Sequence, residues 1–333
     1  MMNVVDLAEA LIDIPSVTGD EGCIARWLEQ YCTDAGWSIE RQHIEEGRWN
    51  VFVNWSDHAD VVFCTHLDTV PPFMAAHRTA DRLHGRGACD TKGIIAAMLT
   101  AGHRLTLGGR MPSFLFVPGE ERDSIGAKSA AMSSRTARYI IVGEPTENKL
   151  ALGHKGSLSY TIETEGVAAH SAYPDMGTSA IHTLLDIIAD LRAHDWGSDE
   201  VLGPSTLNVG MIGGGVAPNV FADRARATIL HRIVDSLARR KHDVDDIVGF
   251  RGRLAFHAEN DPQRMYAPEG FPTTSVSFGT DIPYLRPMGT PLLVGPGSIH
   301  DAHTDHEHVE YAALHEAVEL YVRLFSRLSN DNT

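Results

Sequence analysis

The chain of 333 residues has no apolar run near the ~18 residues that a membrane-spanning helix requires; its longest, residues 94–99, is far shorter. Basic residues are few. The 28 Lys and Arg stand against 44 Asp and Glu, a formal charge of −16. Binding a phosphate backbone or anchoring to a membrane surface needs the opposite balance, so neither nucleic acid nor membrane is expected as a partner. Cysteine is scarce as well. Cys23, Cys32, Cys64 and Cys89 show no C-x-x-C spacing, which gives no disulfide framework and fits reduced thiols in a cytoplasmic protein. The opening stretch lacks a basic region and carries Asp6, Glu9 and Asp13, so a signal peptide is not expected. There is no H-E-x-x-H helix. The glycine-rich turn ending in Lys92-Gly93 lacks the spacing and the Ser/Thr of a Walker loop.

What remains is an ordinary globular composition, 43% hydrophobic and 22% charged, in a chain long enough for two domains. The first third alternates strand and helix. Strands are expected at 37–44, 50–55, 61–65, 113–117 and 139–142. Helices are expected at 21–34 (capped by Asp20, stopped at Gly36), 93–107 and 124–132. This alternation predicts an α/β fold, a mostly parallel sheet with helices on both faces. The middle third differs: strand 157–165, helix 179–193, strands 207–212 and 224–233 about the Gly213-Gly214-Gly215 turn, helix 237–248, strand 254–258. The helix at 179–193 places Ile181, Leu184, Leu185, Ile188 and Leu191 on one stripe. The β-α-β-β-α-β order predicts a ferredoxin-like α+β domain at 155–260, inserted into a larger domain made of 1–154 and 261–333. The larger domain closes with a strand at 291–294 and a helix at 312–328.

Chemistry collects after the buried strands of the larger domain. His66-Leu67-Asp68, Gly119-Glu120-Glu121 and Gly143-Glu144 each follow one, and Gly295-Pro296-Gly297 leads from another towards His303. Open α/β sheets bind ligands beyond the carboxyl ends of their strands. Asp90 joins from Gly85-Arg86-Gly87-Ala88-Cys89-Asp90-Thr91-Lys92-Gly93, a glycine-rich turn that opens a helix. Carboxylates crowded in this way repel one another unless a cation neutralises them. The mixed nitrogen and oxygen donors suit Zn²⁺ and tolerate Co²⁺ or Mn²⁺.

HLDTVP, GRGACDTKG, GEE, GEP, AHSAYPDMG, GGVAPN and GPGSIHDAHTDHE follow one another in that order over nearly the whole chain. With them the sequence resembles the dinuclear-zinc amidohydrolases and exopeptidases that include acetylornithine deacetylase, succinyl-diaminopimelate desuccinylase, aminoacylases and glutamate carboxypeptidases. The resemblance implies two divalent metal ions bridged by Asp90, one completed by His66 and Glu144, the other by Glu121 and His303. It implies Glu120 as general base, Asp68 as the carboxylate orienting His66, and a cis peptide at Asp90–Thr91. His170 of the lid would donate to the oxyanion, from the partner subunit in a homodimer built through the lid. Asn219 and Arg232 would bind the substrate carboxylate, although Leu230 stands where the family usually has a polar residue. The activity implied is hydrolysis of the amide of an N-acyl amino acid, with dipeptidase or carboxypeptidase action on a short peptide, or a non-catalytic metal-binding relative, as alternatives.

Other residues compete for these roles. His300 lies three before His303, and His306 and His308 flank Glu307. Asp281 fits a helix N-cap, Cys89 a packing residue, and Lys155 either a cleft residue or a solvated lysine at the lid edge.

Overall fold

The computed structural model describes residues 2–330. The chain forms two compact units. The first comprises residues 2–152, 265–274 and 280–330; the second comprises Gly153–Arg264 and Ser275–Gly279. The junctions thus fall at 152/153 and 264/265, against the 154/155 and 260/261 expected, and a short segment after the second junction rejoins the second unit.

The first unit is built on a six-stranded mixed sheet in the order Ile39–Glu45, Arg48–Val53, Ser113–Val117, His58–His66, Thr136–Val142, Thr290–Leu293. The first two strands form an antiparallel hairpin, and Arg48–Val53 pairs antiparallel with Ser113–Val117. The three remaining pairings are parallel. Strands such as Ser113–Val117 are buried along their whole length, which is why they read as short continuous apolar runs rather than alternating ones. Val51, Val53, Phe63, Phe114, Phe116, Ile141 and Leu292 belong to one core with the helices Val4–Ile12, Gly22–Asp34, Lys92–Leu107 and Tyr311–Asn330. Phe63 is its centre: its ring lies 5.6 Å from Phe114, 5.5 Å from Tyr321 and 6.0 Å from Phe325. Burying one such ring is worth about 1.5–3 kcal/mol. Asn50 points to the opposite side, where its amide donates to the Gly126 carbonyl at 2.8 Å, in the helix Ile125–Ala131. Helices therefore cover both faces, as expected.

The register aligns the carboxyl ends of the parallel strands. His66 stands opposite Val117, and Val142 stands opposite both Cys64 and Leu293. The segments that follow these residues leave the sheet at one edge.

The second unit carries a four-stranded antiparallel sheet in the order Thr206–Gly214, Arg224–Ile233, Gly156–Glu165, Arg253–Asn260. In chain order, with the helices Ala180–Ala193 and Leu237–Val248, this is the expected β-α-β-β-α-β arrangement, its first and third strands central. Leu158, Tyr160, Ile162, Ala227 and Ile229 alternate onto the helix-covered face.

Local expectations fail at identifiable points. Asp20 does not cap the helix Gly22–Asp34; its N-cap is Glu21, which makes no side-chain cap because its carboxylate grips Arg48 at 2.8 Å. Leu185 is exposed, and Ile187 is buried in its place, so the stripe runs Leu184, Ile187, Ile188, Leu191. The helix Val4–Ile12, capped by the Asn3 side chain on the amides of Val5 and Asp6, was not anticipated. Among the described residues no helix is long and apolar enough to cross a membrane.

Candidate metal centre

His66 ends its strand fully enclosed. Its Nδ1 donates to the Asp68 backbone carbonyl at 2.9 Å, which leaves Nε2 facing Asp90 Oδ1 at 3.0 Å. Asp90 closes the glycine-rich turn, and the peptide bond to Thr91 is cis. The Thr91 hydroxyl donates to the His66 carbonyl at 2.8 Å and ties turn to strand. His303 arrives on a left-handed backbone (φ +63°). Its Nε2 lies 3.3 Å from Asp90 Oδ2 and 2.9 Å from Glu121 Oε1.

Donor atoms of His66, Asp90 and Glu144 all lie within 4.8 Å of one another, and so do those of Asp90, Glu121 and His303. Asp90 belongs to both groups, one oxygen towards each histidine. Among the described residues these are the two clusters of such donors, and neither His300, His306 nor His308 is in them. His300 is exposed, its amide directed to the Ser298 hydroxyl. His306 pairs with Asp305, and His308 stands across from His84.

The electrostatics call for cations. Burial pushes Glu120 well above the usual carboxylate range; His66 opposes this, while Asp281, Glu121 and Asp90 add to it. Burial raises Glu144 strongly too, reinforced by Glu120 and Asp90. Burial would raise Asp90 as well, yet hydrogen bonds from His303 and His66 hold it well below the usual range. For His66 burial acts downward, but the bonds to Asp68 and Asp90 outweigh it. His303 is pushed up to about 10, first by Asp90 and then by Glu121. The two imidazoles stand where positive charge is needed. Divalent ions placed between the same donors would supply it with neutral imidazoles. The donor set therefore fits a pair of such ions.

Asp68 does more than orient His66. Its carboxylate accepts the amides of Gly119 (2.8 Å), Glu120 (3.1 Å) and Glu121 (3.2 Å) and the Thr18 hydroxyl (2.8 Å). The imidazole of His66 is farther from that carboxylate, 3.5 Å, than from the Asp68 carbonyl. The side chain thus holds the Gly119–Glu121 turn, while the backbone of the same residue orients His66.

Three expected site residues belong to the second unit. His170 pairs with Val220 in an isolated bridge, and the Ser171 amide donates to the Asn219 carbonyl at 2.9 Å, so His170 and Asn219 are neighbours. His170 Nδ1 accepts the Ala172 amide at 3.2 Å, which leaves the ring proton on the exposed Nε2. Arg232 is half-buried on the strand Arg224–Ile233, opposite Thr206 and Ser157.

The competing residues are placed as well. Lys155 is buried, its Nζ donating to the Pro204 carbonyl at 2.6 Å, so it is not a solvated lid-edge lysine. Asp281 occupies the N-cap position of Ile282–Leu285 but makes no capping bond, and burial pushes it up to about 6. Burial raises the Cys89 thiol far above its ordinary value, the behaviour of a packing residue. Glu307 and Arg86, buried beside the Asp90 turn, were not anticipated at all; a charged residue inside a glycine-rich turn was the available signal.

Among solved structures, the fold matches a tripeptidase of Staphylococcus aureus with a TM-score of 0.86 at 18% identity, covering 99% of this chain and 98% of that one. It also matches a dinuclear metal-binding M20 peptidase of Bacillus subtilis with a TM-score of 0.68 at 14% identity, covering 97% and 98%. A peptidase dimerisation domain model matches residues 152–249. Fold and site together define a metal-dependent hydrolase of the peptidase type. The sequence is 35% identical to a peptidase M20 domain-containing protein of Schizosaccharomyces pombe, over 97% of this chain and 84% of that protein. It is 34% identical to a probable carboxypeptidase of Aspergillus fumigatus, over 94% and 84%. The chain belongs to the peptidase M20 family.

Proposed function

We propose that the protein is an exopeptidase that hydrolyses an amide bond of a short peptide close to its free carboxylate. The observation that carries this is the sharing of Asp90 between two three-residue donor clusters. In this reading His66, Asp90 and Glu144 hold one divalent ion and Asp90, Glu121 and His303 the other, Zn²⁺ by donor chemistry, with Co²⁺ or Mn²⁺ as substitutes. When bound, such a pair activates a water and polarises the substrate carbonyl.

The chain's own residues supply the rest. Glu120, held by Asp68 through its amide, takes the proton of the attacking water and returns it to the leaving amine. His170 donates from Nε2 to the developing oxyanion, from the partner subunit of a homodimer formed through the second unit. Arg232 and Asn219 engage the substrate carboxylate, a task for which a guanidinium is well shaped. The peptidase dimerisation match at 152–249 supports the dimer. The Aspergillus fumigatus relative, a probable carboxypeptidase, favours a peptide over the N-acyl amino acid expected from sequence.

A hydrolysis screen tests this. Dipeptides, tripeptides and N-acetyl and N-succinyl amino acids are offered with added Zn²⁺, Co²⁺ or Mn²⁺, and released amine is measured. Peptide turnover that a chelator abolishes and metal restores is the expected result. Preference for the acylated amino acids would return the deacylase reading. Turnover indifferent to chelator would remove the metal altogether.

A further inference from the structure

Glu307 is a buried carboxylate that the mechanism above does not use. It lies one residue before the short strand His308–Glu310, which pairs with Arg82–His84, and its own carbonyl accepts the Gly85 amide at 3.1 Å. Its side chain is thereby set against the turn that presents Asp90. The two oxygens divide the work. Oε1 accepts the amides of Cys89 at 3.2 Å and Asp90 at 3.3 Å, with the Cys89 thiol 3.6 Å away. Oε2 receives Arg86 Nη1 at 2.7 Å, in an ion pair almost wholly shielded from water. Gly87, at φ +87°, permits the backbone to curl around this carboxylate; a side chain there would be strained and would meet Lys92 and Thr69.

Charge explains the pairing. Another bare carboxylate beside Asp90 would add to the repulsion within the site. Arg86 offsets it, so that Glu307 can serve as a strong acceptor without adding net charge. Glu307 also bonds no side-chain oxygen of Asp90. It fixes the backbone from which both oxygens project.

We propose that Glu307, with Arg86, is the positioning residue for the shared ligand Asp90, and that it sets the affinity of both metal ions together. This rests on the two-ion reading given above. A terminal ligand such as Glu144 or His303 governs one ion; a residue that orients the bridge must govern both.

The test is a titration of the full-length, metal-free protein with Zn²⁺ against a chromophoric chelator, for the unsubstituted chain, Glu307→Gln, Glu307→Ala, Arg86→Met and Glu144→Gln. Amide hydrogen exchange at Cys89 and Asp90 is followed in the same metal-free samples. Removing a partner that orients a metal ligand lowers affinity by about 10- to 100-fold. Glu307→Ala should weaken both ions at the upper end of that range and speed exchange at both amides. Glu307→Gln, which keeps an acceptor oxygen and the shape, should weaken both by about tenfold, as should Arg86→Met. Glu144→Gln should weaken one ion and leave the two amides protected. Should Glu307→Ala fail to fold, Glu307→Gln carries the test. Unchanged affinities with a lowered melting temperature would mean a merely structural role and overturn the proposal, as would loss of one ion alone. If the unsubstituted chain takes up no ion, the two-ion reading itself fails and the proposal falls with it.

Discussion

At the scale of single residues, adjacent Glu120 and Glu121 divide two tasks. Glu121 Oε1 meets His303 and belongs to a donor cluster, while Glu120, its proton affinity raised first by burial, belongs to neither. A general base must reach the attacking water but need not ligate a metal ion. Glu120→Gln should therefore retain two metal ions by elemental analysis and lose about 10²- to 10⁴-fold in kcat. Near-normal turnover would remove Glu120 from the role. The histidine assignment has an equally direct check. His303→Ala should lose one metal equivalent and His300→Ala none, because His303 alone of the pair belongs to a donor cluster; the reverse stoichiometry would reassign the ligand. Much of this site could be read from the chain, since a histidine or carboxylate just after a buried strand is conspicuous. Choosing His303 over His300 took the family resemblance, because three residues in a loop have no periodicity to separate them. Glu307 and the wider part of Asp68 were not legible, because both act on backbone amides and nothing in an amide's sequence marks who accepts it.

Elements were legible where burial is uniform. Ser113–Val117 falls where it was expected, since a strand covered on both faces announces itself as an unbroken apolar run. Helix stripes were less secure: Leu185 and Ile187 are both aliphatic, and only tertiary packing decides which turns inward. The central strand Arg224–Ile233 adds a pH-sensitive feature. His231 is fully buried there, its Nε2 3.0 Å from the Tyr160 hydroxyl and its ring against Trp196. Burial, then Arg240 and His194, lower it from its ordinary 6.5 to about 4. The fold thus favours the neutral ring. The associated stability is complete above pH 6.5 and is lost as pH falls towards and through 4, about 2 kcal/mol of it by pH 5. His231→Gln in the full chain should therefore melt at a temperature that drops less between pH 7.5 and pH 5 than that of the unsubstituted protein. Parallel curves would show that His231 does not titrate in this window.

For the whole molecule, a formal charge of −16 resists association, so a dimer needs a specific surface. The second unit offers one. Thr206–Gly214 is an edge strand, and Met211 and Ile212 on it are exposed, a combination that invites pairing with another strand. A scattering mass of twice the 36.4 kDa chain is expected, and Met211→Lys should move it towards the monomer. Whether that association also completes the catalytic site is decided by mixing two inactive variants, Glu120→Gln and His170→Ala, under conditions that let subunits exchange. If His170 serves the partner's site, each hybrid dimer contains one site with both an intact Glu120 and an intact His170. With hybrids forming half of the dimers, activity should recover to about a quarter of normal. If His170 serves its own chain, every site in every hybrid lacks one of the two groups and mixing restores nothing. A monomeric mass for the unsubstituted protein would exclude the trans arrangement before any mixing was done.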